Sequence, residues 1–504
     1  MLNSMHLVIP LDRESEEPIY RQLIRHIKAQ VESGNLPAGV RLPASRDLAR
    51  QLNISRISVV NAYAELRAEG YLSAHAGRGT FVAGEHTAPV STPLPISTPT
   101  TTHNVMNEPT FGDKPLREMM RLARRPGVIN LGLGSPPSEF FPVHHVKEAI
   151  NIVLERDGAR ALAYEATEGY APLRATVRDY VSGLGIRCSA DHVLITGGTQ
   201  QAIDLVVQAL VGEGELLVAE TPTYLGLIDI ARTRRVQMMT IPMDEDGMRL
   251  DMLENLILDV RPRLIFSTPS FHNPTGISMP MHRRRQLLNL ANMYNVPILE
   301  DGVYHEFRFE GDAHPPLKAL DDTGIVIHAS GFTKNLLPGL RIGYIIIDGP
   351  QYERVLRVKQ AADISTPTLN QRAIHTLVER GILAQHLERN NKELRRRRDI
   401  AVKAAKTHLP PGSRWMIPSG GLYLWVELPR TGPNSAELYV NAVQTGVAYA
   451  MGAIFHTNGG GSHHMRLNFA AHKPFEIEEA FRRLGRAWRE LACDYTEMEK
   501  QLIL

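Results

Sequence analysis

Two cysteines are all that this chain of 504 residues offers, and Cys188 and Cys493 stand too far apart to frame a small disulfide scaffold. Such scarcity suits a reducing compartment. Long apolar runs are missing too: no stretch approaches the about eighteen residues that a membrane helix needs, and the opening "MLNSMHLVIPLDRESEE" meets charged residues before any such run. A soluble, cytoplasmic protein with no membrane partner is therefore expected. Charge of one sign is also lacking. With a formal net charge of only +2, attraction to nucleic acid has to be argued from a local motif rather than from the total. What the chain does have in quantity is apolar residues, 43% of the total, enough at this length for more than one core.

Residues 86–110, "HTAPVSTPLPISTPTTTHNVMNEPT", are rich in Pro, Ser and Thr and carry no helical or strand period, which is the composition of a linker. They divide the chain into a small unit, 1–85, and a large one, 111–504, in which apolar runs alternate with amphipathic stretches as in an α/β domain.

In the small unit Tyr20, Leu23, Ile24, Ile27 and Val31 fall at helical spacing. "LPASRDLARQL" and "NISRISVVNAYAELRAEGYL" follow as two closely spaced helices, with Val59, Tyr63 and Leu66 on the inner face of the second, the spacing of a helix-turn-helix. "YLSAHAGRGTFV" reads as two strands hinged at Gly77-Arg78-Gly79, a small wing. A helix-turn-helix places polar or basic residues at the start of its second helix in the major groove and holds phosphates with arginines and helix N-termini. Ser45, Arg46, Ser55, Arg56 and Ser58 supply that set, with Arg78 at the wing tip. The same residues also suit a plain helical domain with surface arginines, since ten Lys and Arg against eight Asp and Glu in residues 1–84 make only a slight excess.

The stretch from "EPIYRQLIRHIKAQ" to "GRGTFV" resembles the winged helix-turn-helix of the GntR family of bacterial transcription regulators over essentially the whole unit. The resemblance implies phosphate and base contacts to double-stranded promoter DNA from Arg46, Arg56 and Ser58, and a minor-groove or backbone contact from Gly77 and its neighbours.

In the large unit "HVLITGGTQQAIDLVVQAL" reads as strand, glycine turn, helix, which aims backbone N–H groups and a positive helix end at a docking phosphate. "ETPTYLG", "STPSFHNPTGISM", "ILEDGVYHEF" and "SGFTKNLLPGLRIGY" are each an apolar strand ending in polar residues, as ligand-binding strand ends do in open α/β sheets. A pyridoxal phosphate site needs a lysine amine for a Schiff base, a carboxylate at the pyridine nitrogen, a donor to the ring hydroxyl and phosphate ligands. Lys334, Asp301, Tyr304, and the turn Gly197-Gly198-Thr199-Gln200 with Arg341 offer one of each. Asn273 joins Tyr304 at the ring oxygen, and Tyr224 is placed to stack on the ring. Singly each of these is commonplace; in this order they point to a cofactor. No metal-ligating set is expected.

From about Phe111 onward the chain resembles fold type I aminotransferases, with "YEATEGYAPLRATVRDYV", "TGGTQQ", "HNPTG", "EDGVYHEF" and "FTKNLLPGLRIGY" in sequence order. The resemblance implies that Lys334 anchors pyridoxal 5'-phosphate, that Arg341 binds its phosphate, that Tyr164 reaches the phosphate of a partner subunit, and that Arg466 in "MRLNFA" clamps a carboxylate. One position departs from the family pattern: Gly331 stands where a serine is usual, with Ser330 and Thr333 on either side. The two resemblances in this order match the MocR-type subgroup of GntR regulators. They imply a homodimeric transcription factor that senses a vitamin B6 compound or a small amino compound; the alternative is a working aminotransferase with a DNA-binding appendage. "ELRRRRDI", residues 393–400, is expected to be the wet face of a helix, with a second DNA contact as the other reading.

Overall fold

The computed structural model describes residues 121–502 and, ahead of them, 9–12, 19–32, 35–37, 39–52, 54, 55, 58–60, 62, 63, 66, 71–75 and 79–82. The chain divides into two compact units, a small N-terminal one and a large one. The expected linker, 86–110, lies outside the described residues.

In the small unit the apolar repeat of the first helix, Ile19–Glu32, does what its spacing predicts: Leu23 and Ile27 are wholly buried and Ile24 nearly so. The second helix, Ser45–Leu52, turns Leu48 and Ala49 inward. Val59, Ala62, Tyr63 and Leu66 complete the core from the next helical stretch, and the Tyr63 hydroxyl donates to Pro43 O at 2.9 Å. The wing is a hairpin of β1 (Leu72–His75) and β2 (Gly79–Val82), with Leu72 opposite Val82. Residues 39–42 run beside β2 through an isolated bridge, Arg41 opposite Phe81, with Leu42 N donating to Thr80 O and Val82 N to Val40 O, both at 2.9 Å. Arg46 is exposed on the second helix, whereas Ser45 and Ser55 are half-buried. One expected DNA contact is corrected: Ser58 is only 7% exposed, because it shares the core-facing side with Val59 and Ala62. Arg56, Gly77 and Arg78 lie outside the described residues.

The large unit is built on an eight-stranded sheet in the order β4-β11-β10-β9-β8-β5-β6-β7. Its strands are β4 (Val193–Thr196), β5 (Leu216–Thr221), β6 (Gln237–Asp244), β7 (Gly247–Met248), β8 (Leu264–Ser267), β9 (Ile298–Asp301), β10 (Val326–Gly331) and β11 (Gly343–Ile346). Pairing is parallel except where β11 runs against β10 and β4, and β7 against β6. β4, β8, β9, β10 and β11 are buried along their whole length, the reason they lack the polar-apolar alternation of a half-exposed strand. Helices cover the sheet. Thr199–Leu210 buries six residues, Ala202 to Leu210, against one core, and Ala171–Ser182 places Leu173, Val177 and Val181 in another.

A second sheet follows: β12 (Arg414–Trp415), β13 (Tyr423–Glu427), β16 (His464–Asn468) and β15 (Ala450–Met451), in that order. β3 (Ile129–Asn130) pairs in parallel with β14 (Val447–Ala448). The 27-residue helix Ile382–His408 carries "ELRRRRDI" and corrects the reading of that run as a wholly wet face. Arg395 and Arg396 are exposed, but the side chains of Arg397 and Arg398 are 2% and 3% exposed. Arg397 donates to Ala470 O and Glu139, and Arg398 to Pro418 O and Glu310. Four consecutive residues span a full helical turn, so the run necessarily points both outward and inward. Among the described residues no helix is long and apolar enough to cross a membrane.

Candidate functional site

β9 and β10 are parallel neighbours with Asp301 beside Ala329, so the carboxyl at the end of one strand stands next to the turn that ends the other and carries Lys334. One cavity of about 480 Å³ collects nearly all the expected residues: Thr199, Gln200, Tyr224, Asn273, Asp301, Tyr304, Thr333, Lys334, Arg341 and Arg466. It opens at the C-terminal ends of the parallel strands, where open α/β sheets hold ligands. Tyr164 is not among its walls. That side chain is 86% exposed, at the surface.

Lys334 sits in a short helix, Phe332–Asn335, and its amine donates to Gly134 O. Burial makes the amine less basic than a free lysine; Arg466 and Arg341 add to that effect, while Tyr423 and Asp301 oppose it. Asp301 is 4% exposed, and burial pushes its carboxyl up to about 6, although Val303 N donates to it at 3.2 Å. A carboxyl so placed gains from a positively charged partner such as a protonated pyridine nitrogen.

Beside it lies a hydroxyl cluster. Asn273 Nδ2 donates to the Tyr304 hydroxyl at 3.3 Å, and the hydroxyls of Tyr304 and Tyr423 are 3.1 Å apart. Burial raises the Tyr304 phenol well above its ordinary value, which keeps it a proton donor. Asn273 Oδ1 in turn accepts from Arg466 Nη1 at 2.7 Å, and Arg466 Nη2 donates to Gly132 O at 2.8 Å. The Arg466 guanidinium lies over the Tyr423 ring at 4.2 Å and near that of Phe455 at 4.9 Å, and its Nε is buried without a partner among the described residues. Tyr224 is fixed at its rim by donating to Gln200 Oε1 at 2.7 Å.

At the opposite end, Gly198 caps the helix Thr199–Leu210 with φ +97°, the left-handed region that favours glycine, and presents that helix's N-terminus to the cavity. A Cβ on Gly198 would come within 2.7 Å of Arg341 Nη2, so the guanidinium lies directly against the turn. The hydroxyl oxygens of Thr199 and Thr333 are buried and lack partners among the described residues. Two unpaired buried hydroxyls, a helix N-terminus and an arginine form a set of donors suited to a phosphate. The departure at Gly331 also has a physical reason. A Cβ there would meet Gly343 Cα at 2.7 Å and Ile342 O at 2.9 Å, so β10 and β11 approach too closely for any side chain. The donor set therefore fits pyridoxal phosphate.

Sequence reasoning passed over Tyr423, Gly132 and Gly134. Its signal lay in "SGGLYLWVE", a strand one pairing away from the Arg466 strand, with Trp425 opposite Arg466 and Tyr423 opposite Asn468. It also passed over Arg284, wholly buried, which donates to Met279 O (2.8 Å), Pro269 O (2.7 Å), Pro315 O (3.1 Å) and Ser270 Oγ (3.0 Å) and so closes the loop that holds Asn273.

Known proteins carry both units. Aminotransferase class I and II matches residues 126–484, and the gntR family of bacterial regulatory proteins matches residues 19–82. An uncharacterized HTH-type transcriptional regulator of Bacillus subtilis, YdfD, is 30% identical over 94% of this chain and 97% of its own. A probable rhizopine catabolism regulatory protein of Rhizobium meliloti, MocR, is 30% identical over 80% of each chain. The crystal structure of an alpha-aminoadipate aminotransferase from Thermus thermophilus, complexed with N-(5'-phosphopyridoxyl)-L-leucine, is 35% identical and superimposes with a TM-score of 0.70 over 76% of this chain and 96% of its own. The chain thus belongs to the aminotransferase class I and II family, joined behind a gntR-family helix-turn-helix in the arrangement of MocR-type regulators.

Proposed function

We propose that this protein is a DNA-binding transcription regulator whose large unit binds pyridoxal phosphate and, through it, senses a vitamin B6 compound or a small amino compound. The observation that carries the reading is the convergence of Lys334, Asp301, Tyr304, Asn273 and Arg341 on one cavity in a chain that also has a gntR-type unit. Bound pyridoxal phosphate supplies an aldehyde that condenses reversibly with primary amines and a ring that withdraws electrons. Lys334 anchors it, its amine kept less basic by burial. Asp301 holds a proton on the pyridine nitrogen, Tyr304 and Asn273 hydrogen-bond the ring oxygen, and Tyr224 lies against the ring face. Gly198, Thr199, Gln200, Thr333 and Arg341 hold the phosphate, and Arg466 clamps a carboxylate of the amino compound.

DNA contact falls to Arg46, Ser45 and Ser55, with Arg56, Gly77 and Arg78 retained from the sequence. The unit boundaries 1–85 and 111–504, a cytoplasmic location and a homodimer in which Tyr164 serves the neighbouring subunit belong to the same reading. The exposure of Tyr164 is consistent with that last role.

The second reading, a working aminotransferase with a DNA-binding appendage, is favoured by the intact geometry around Lys334 and Arg466. Purified protein is tested for a gel shift on the DNA flanking its own gene, with and without pyridoxal phosphate, and for turnover with a panel of amino acids. A cofactor-dependent shift without multiple turnover supports the regulator; turnover with promoter binding indifferent to every ligand supports the enzyme.

A further inference from the structure

We propose that Tyr423 is a positioning residue of the cofactor site: its hydroxyl donates to the Tyr304 oxygen and so directs the Tyr304 proton at the cofactor's ring oxygen, while its ring supports Arg466. The inference rests on the pyridoxal phosphate reading above.

Tyr423 opens β13 and is 2% exposed, and its ring and hydroxyl both face the cavity. A phenol has one proton to give and two lone pairs to receive. If Tyr304 spends its proton on the ring oxygen, its own oxygen must act as acceptor, and two donors stand within reach: Asn273 Nδ2 at 3.3 Å and the Tyr423 hydroxyl at 3.1 Å. The Asn273 amide is already oriented, because its Oδ1 accepts from Arg466. With both donors in place, pointing its proton back at Tyr423 would set two donors against each other. The Tyr304 hydroxyl is left one direction, toward the cofactor, and each bond in the chain polarises the next.

Gly134 fixes where this matters. A Cβ on that glycine would lie 3.2 Å from the Tyr423 oxygen and 3.7 Å from Lys334 Nζ, so the phenol and the anchoring amine flank the same small residue. The other function of Tyr423 is carried by its ring, with the Arg466 guanidinium 4.2 Å above it. Hydroxyl and ring can therefore be separated by experiment. Donation to the ring oxygen favours its anionic form and draws electrons from the lysine–cofactor linkage, making the linkage nitrogen less basic. Loss of the Tyr423 hydroxyl weakens that donation.

The experiment is a pH titration of the visible absorbance of full-length protein loaded with pyridoxal phosphate, for wild type, Tyr423→Phe, Tyr304→Phe and the double variant. Tyr423→Phe keeps the ring and with it the Arg466 contact. Its titration midpoint is expected to rise by about half a pH unit or more. On the Tyr304→Phe background the same change is expected to add nothing, because the hydroxyl acts through Tyr304. An unchanged or lowered midpoint in Tyr423→Phe would overturn the inference, as would an equal shift on the Tyr304→Phe background. Absence of any visible band in loaded wild type would overturn the cofactor reading itself, which keeps the two failures distinct.

Discussion

Asp301 holds its negative charge against its surroundings. Burial raises its carboxyl to about 6, with His328 and Lys334 pulling it down and Glu300 pushing it up. Burial likewise raises Glu220 and Glu306 to about 7. An acid whose value is raised by folding binds its proton more tightly folded than unfolded. The stability it contributes is complete below the ordinary carboxylate range and is lost as pH rises through 6 to 7. Against the upward slope that buried His272, His305, His386 and His456 add by staying neutral, the share of these three acids in the stability slopes downward from about pH 4 to about pH 7. Asp301→Asn is expected to flatten that slope, removing a share of about 3 kcal/mol at most. A protonated pyridine nitrogen gives the ionised carboxyl its missing counter-charge, so thermal stabilisation by pyridoxal phosphate is expected to grow over the same window. Melting curves at several pH values, with and without cofactor, measure both effects; parallel curves for wild type and Asp301→Asn would show that the carboxyl is not raised.

The ends of the loop from Pro269 to Met279 are joined by Met279 N donating to Pro269 O at 2.8 Å, and Arg284 on the following helix, Met281–Tyr294, braces them by donating to both. No carboxylate pairs with this guanidinium among the described residues, and burial lowers it to about 10, so its charge rests on carbonyl oxygens and one hydroxyl. Arg284→Ala would leave several buried acceptors unpaired and is expected to cost about 3 to 5 kcal/mol in denaturant unfolding. Arg284→Lys, which restores the charge without the fork, is expected to recover only part. A loss below about 1 kcal/mol in Arg284→Ala would place the strength of the loop elsewhere. The Asn273 element was legible because "HNPTG" is a compact motif, and the Lys334 and Asp301 strands because polar residues end apolar runs. Arg284 was not legible: it stands in "MHRRRQ", where nothing local distinguishes the arginine that turns fully inward from half-buried Arg283 and exposed Arg285. Arg397 and Arg398 escaped notice for the same reason. Tyr423 was hidden because a strand pairing, which no local pattern reveals, brings "GLYLW" beside Arg466. Ser58 was misplaced because a short hydroxyl side chain is equally at home in a groove and at the edge of a core.

For the whole molecule, the division into two units was readable from one biased stretch and two sets of motifs, and it implies that the two activities can be removed separately. Arg46→Ala is expected to weaken promoter binding by about 1 to 3 kcal/mol while leaving the visible cofactor band intact. Lys334→Ala is expected to abolish the band and blunt the ligand response while basal promoter binding survives. Absorbance spectra and salt-controlled binding titrations on the same preparations measure both; loss of the band in Arg46→Ala would argue against separable units. Any ligand effect on DNA affinity is bounded by the ligand's differential affinity for the protein's two states, so a graded response is expected rather than an absolute switch.

The close approach of β10, β11 and the phosphate turn has a consequence for the mutational tolerance of the protein. A methyl group on Gly343 would stand 2.6 Å from the Gly198 carbonyl carbon, and one on Gly331 would stand 2.7 Å from Gly343 Cα, backbone against backbone with no flexible side chain to yield. In a library of all single substitutions scored only for abundance of folded protein, these positions would accept glycine and nothing else. The outline of the phosphate cradle would then emerge as blank columns in a folding screen that contains neither ligand nor DNA.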